Sequence, residues 1–124
     1  MIELNDFERL RSAYLALATS KELLNKEKTI YLDLLEAVHY AHVAQVNILG
    51  FLSENENPPS NLVRPFMLLK SLANAINRAT GDLEEYLYTS NIQYYLAAGP
   101  YEESIENFMK LLRELINEIG RENV

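Results

Sequence analysis

The side chains best suited to chemistry in this chain are Glu36, His39 and His42, which include both of its histidines. Glu36-x-x-His39 places a carboxylate and an imidazole at i and i+3, on one helical face. Di-metal carboxylate bundles hold their ions with that pairing. His39 and His42 repeat the spacing, so the three residues could ligate a metal together. They make half a site at most. A full centre needs a second Glu-x-x-His and two further inward glutamates, and no histidine follows His42. Only a symmetric dimer, each chain giving one half, could complete it. The plainer expectation is structural. Neutral imidazoles bond to nearby side chains or carbonyls, and His42 with Gln45 fixes helix register as polar groups in an apolar seam do. The structural reading is taken, and no cofactor is expected.

A second candidate is basic. Arg64, Lys70 and Arg78 lie in a stretch, 62 to 81, that contains no acid, whereas 29 to 61 carries acids and no Lys or Arg. Arg64, Ser71, Asn74 and Arg78 share a helical face. A helix, a tight turn and another helix with such a face outline a helix-turn-helix. Three cations are few for phosphate binding, and the net charge of −7 opposes it. The expectation is that the basic helix lies against acidic helix 2 or 5, with nucleic acid not a partner. Tyr86, Tyr88, Tyr94 and Tyr95 form a third cluster, of the kind found at layer and subunit boundaries. The chain has no glycine-rich phosphate loop, no His-Glu-x-x-His and no nucleophile elbow. No enzyme class is indicated.

These residues sit on helices. The length, 124 residues, suits one domain, and 48% hydrophobic residues can fill a core without metals or crosslinks. Cysteine is absent, which excludes disulfides, thiolate metal sites and cysteine nucleophiles. The N-terminal stretch is acidic where a signal peptide is basic, and the polar residues at 39 to 47 make membrane insertion costly. A soluble, cytoplasmic protein is expected, with no membrane partner.

Apolar periodicity predicts an all-α, up-and-down bundle of four to five helices, at about 6–25, 30–53, 62–80, 83–98 and 100–119. Phe7, Leu10, Tyr14, Leu17, Lys21 and Leu24 form the first seam at 3/4 spacing. Thr29 is the expected N-cap of the second helix. That helix has an uncharged run from Ala37 to Ser53 and two apolar rows. One is Ile30, Leu34, Ala37, Ala41, Ala44 and Ile48; the other is Tyr31, Leu35, Val38, His42, Gln45, Leu49 and Leu52. It is therefore placed at the centre of the bundle. Leu62, Phe66, Leu69, Ala73 and Ile76 stripe the third helix. Gly81 and Asp82-x-x-Glu85 signal a break or a sharp kink after it, although the apolar register runs on to Leu83 and Leu87. Gly99-Pro100 opens the last helix, Tyr101, Ile105, Phe108, Leu112, Leu115 and Ile119 form its seam, and Gly120 ends it. Apolar positions beyond the seams (Leu15, Leu23, Met109, Leu111, Ile116) point to excess surface and hence to a self-associating interaction module, a homodimer first of all.

Overall fold

The computed structural model describes residues 4–24, 31–97 and 101–122, and their regular structure is entirely helical. The expected Thr29 cap and the Gly99-Pro100 helix start lie outside the described residues. In chain order come α1 (Leu4–Leu24), α2 (Tyr31–Glu54), a single 3₁₀ turn (Ser60–Leu62), α3 (Val63–Thr89), α4 (Ile92–Ala97) and α5 (Tyr101–Glu122). The all-α bundle expected from periodicity is the architecture observed.

Four helices form a closed ring. α1 packs on α2 and α5, and α3 packs on the same two. The cross-links fix their directions. Ser20 and Arg9 of α1 reach Ala37 and Glu54 of α2, so higher numbers in one meet lower numbers in the other. His42 and Gln45 of α2 meet Glu84 and Ala73 of α3 in the same sense. Lys21 and Tyr14 of α1 meet Glu106 and Arg113 of α5. Each neighbour is therefore antiparallel, and the ring runs up, down, up, down. α2 is one of its four staves, with two helical neighbours and an open outer side, rather than its axis.

The core lies inside the ring. Leu10 and Leu17, Ile48 and Phe51, Leu69 and Ile76, and Phe108 and Leu112 are buried to within 1%. Each such side chain contributes about 1.5–3 kcal/mol relative to exposure. α1 and α2 meet through small residues, Ala13 and Ala16 against the Ala37, Ala41 and Ala44 row, and small side chains shorten the interaxial distance. At the far end of α2, the Phe51 and Phe66 rings pack at 5.1 Å between centroids. The seam of α1 is turned from the expected one. Leu10, Ala13, Leu17 and Ser20 face inward, while Phe7, Tyr14 and Leu24 are half-buried. Lys21 points to Glu106 instead of interrupting a seam.

Two boundaries differ from the sequence reading. α3 is one helix of 27 residues, about 40 Å long, and passes straight through Gly81. Glycine costs a helix about 1 kcal/mol. Leu83 and Leu87 are buried just beyond it, and each offsets more than that. Thr80, fully buried, satisfies its hydroxyl by donating to the carbonyl of Ile76. The local stop signals therefore lose to the continuous apolar stripe. The helix ends instead at Ser90, whose left-handed φ of 58° turns its N–H back to the Tyr86 carbonyl at 2.7 Å. The helix expected over 83–98 is accordingly split between the end of α3 and the six-residue α4. At the other end of the chain α5 runs on to Glu122, past Gly120.

Candidate functional site

The three residues proposed as metal ligands are not brought together. Glu36 and His39 face solvent from α2. His39 has its ring edge-on to that of Tyr40, at 5.4 Å. His42 turns to the α3 side, where its Nε2 is hydrogen-bonded to the Glu84 carboxylate. A carboxylate only accepts, so the imidazole proton lies on Nε2. Gln45, one turn on, donates to the Ala73 carbonyl at 3.4 Å. These two residues thus hold the register of α2 against α3, the structural role expected for them. Among the described residues no three His, Asp or Glu side chains are grouped as metal ligands.

Arg64, Lys70 and Arg78 are exposed on α3, and none pairs with a carboxylate among the described residues. The basic helix does lie against α2 and α5, as expected, but its three cations point outward instead of pairing with their acids. The helix-turn-helix outline is also lost, because it needs the turn at Gly81 that α3 does not make. Lys70 borders a groove of about 710 Å³ between α2 and α3, lined by Leu49, Leu52, Val63, Phe66 and Met67.

The tyrosine cluster straddles the α3–α4 reversal. Tyr86 and Tyr95 rings pack at 5.2 Å, and among the described residues α4 packs on α3 alone. Asn91 starts α4 by accepting the Gln93 N–H on its side chain at 3.0 Å. Every side chain from Tyr88 to Ala97 is exposed.

Excess apolar surface is present on α2, the helix with two apolar rows, and less so at the extra positions of α1 and α5. Of the five positions singled out, Leu23 is buried, Met109, Leu111 and Ile116 are half-buried, and only Leu15 is exposed. The largest ordered stripe is on α2. Leu32, Leu35, Val46 and Leu49 are 54%, 47%, 72% and 50% exposed. With His39 and His42 they run 32, 35, 39, 42, 46, 49, at spacings of 3, 4, 3, 4 and 3. That is a heptad seam, the pattern by which one helix receives another, and it points away from the core. The Leu34, Ala37, Ala41, Ala44 and Ile48 row does face inward. The other expected row divides, with Val38 buried, His42, Gln45 and Leu52 half-buried, and Leu35 and Leu49 open. The outer stripe was missed because a helix apolar on most sides has no period that marks its solvent side.

Beside the stripe is a charged rim. Arg9 of α1 lies across Gly50 and reaches Glu54, with Nη2 3.1 Å from Oε1. A Cβ on Gly50 would collide with the guanidinium, so the glycine is what lets Arg9 cross α2.

No protein-family model, curated protein or solved structure matches the chain. No helix among the described residues is long and apolar enough to cross a membrane.

Proposed function

We propose that this protein is a self-associating helical module, a homodimer in its simplest form, which supplies a binding surface and performs no catalytic step. One observation carries the reading: an uncharged stripe at heptad spacing on the outer face of α2, left open by the protein's own packing. Soluble monomers rarely leave a contiguous apolar face unused, and side chains at this spacing pack into those of a facing helix. The stripe spans about 25 Å along the helix and about 10 Å across. At those dimensions each copy contributes about 250 Å², below the range of stable specific interfaces, so weak association is expected.

Two copies, each at −7, repel one another overall, while the seam itself carries no charge to repel. Salt therefore strengthens the dimer by screening the repulsion. Phosphate binding through Arg64, Lys70 and Arg78 would weaken with salt instead. Sedimentation velocity from low to high micromolar concentration tests the reading at two salt concentrations. A reversible dimer, tighter at high salt and lost in Leu35→Glu/Val46→Glu, is the expected result. A chain that stays monomeric at high micromolar concentration overturns it.

A further inference from the structure

We propose that the second copy docks on α2 antiparallel, with the two-fold axis passing between His39 and His42. The inference rests on the self-association just proposed and adds its register. Antiparallel heptad seams pair each first position with the partner's second. About a centre between 39 and 42, Leu32 meets Leu49 of the second copy, Leu35 meets Val46, and His39 meets His42. The stripe is thus nearly the same read in either direction: two aliphatic layers, two histidine layers, two aliphatic layers. An isologous contact requires a surface complementary to itself under a two-fold.

The histidine layers choose between directions. His42 is already bonded through Nε2 to Glu84, which in a neutral ring leaves Nδ1 as the acceptor. His39 has only a ring contact, with Tyr40, and as a neutral imidazole it has a donor to offer. Antiparallel pairing sets each donor His39 against an acceptor His42. Parallel pairing would set the two His42 acceptors against one another, in a buried interface where unmatched polar groups are costly.

Charge on the rim agrees. Glu36 is exposed beside the stripe, on the α1 side. Antiparallel pairing brings it to Gly50 of the second copy, the one place where a cation, Arg9, lies across α2. Parallel pairing would turn Glu36 toward the α3 side of the other copy, away from Arg9. The helix dipoles also oppose in the antiparallel arrangement.

The absence of cysteine makes the test clean. Leu32→Cys/Leu49→Cys is oxidised mildly beside each single variant, while the unsubstituted chain is followed by sedimentation. The two positions are about 25 Å apart along one helix, so they cannot bridge within a chain. A covalent dimer from the double variant alone is the expected outcome. Crosslinking of both single variants would establish the parallel register and overturn the proposal while leaving self-association intact. A sedimenting dimer with no crosslink in any variant would move the contact off α2 and overturn both. A monomer removes the self-association itself. Glu36→Lys is expected to weaken the dimer about two- to fivefold, the size of an exposed ion pair. An unchanged affinity would remove the Arg9 contact from the register.

Discussion

α2 and α5 occupy opposite corners of one ring, each with the same two neighbours, α1 and α3. Their inner faces are alike. α5 buries Ile105, Phe108, Leu112 and Leu115, and α2 buries Leu34, Ala41, Ile48 and Phe51. Their outer faces are opposites. α5 turns out Glu103, Glu106, Lys110, Arg113 and Glu114, and two of these bond back to α1. Arg113 donates to the Tyr14 hydroxyl at 2.7 Å and covers its ring. α2 turns out leucines, a valine and histidines. Equal positions in a ring make equal demands on the inner face only. What differs outside reflects what each face must meet next: water for α5, and on our proposal another copy of the chain for α2.

The comparison breaks first if the inner faces prove unequal. Ile48→Ala and Leu112→Ala each remove a fully buried side chain, and each should cost about 2–5 kcal/mol in denaturant unfolding. Val46→Ala, two residues from Ile48, should change monomer stability by less than about 0.5 kcal/mol. A large loss at Val46 in dilute, monomeric protein would mean that the outer stripe packs within its own chain.

A position on neither of these faces sets the scale. Gly81 sits on the exposed side of α3 with open space around its Cβ position. Gly81→Ala should therefore stabilise by about 0.5–1 kcal/mol, with no change in association. Destabilisation there would show that α3 needs a bend at that point after all.

The smallest effect belongs to the charged exterior of α5. A hydrogen bond from Lys21, with its charge close by, holds the Glu106 carboxyl below the ordinary value of 4.5. A lowered folded-state value means that the contribution is complete above the unfolded value and fades as pH falls through the folded one. The stability difference between the unsubstituted chain and Glu106→Gln should be small and flat above about pH 5, and should vanish under more acid conditions. Melting curves across that range check it.

How much of this was legible depends on the helix. The seam of α5 was read correctly from Ile105 to Leu115 because its apolar and charged residues occupy separate faces; the side chains of Tyr101 and Ile119 lie outside those described. The stripe of α3 was read correctly too, while its end was not. Gly81 and Asp82 are local signals, whereas Leu83 and Leu87 act through burial, whose size appears only once α3 is seen within the ring. In α2 the inner row was visible and the outer one was not, because its own residues do not say where α1 and α3 stand. His42 makes the kind of hydrogen bond expected of it, whereas His39 faces solvent beside the Tyr40 ring. The partner of His42, Glu84, lies 42 residues further along and on another helix, beyond the reach of any spacing rule.

The α3–α4 reversal has a kinetic consequence. Among the described residues α4 is held by the Tyr86–Tyr95 ring contact and the short turn bonds around Asn91, and it buries no side chain, so its opening leaves the core untouched. Residues 92–97 should form a separate unfolding unit whose amides exchange with solvent far faster than those of Leu69 or Leu112. A rate that matched global unfolding would mean that α4 is braced by something the ring itself does not supply.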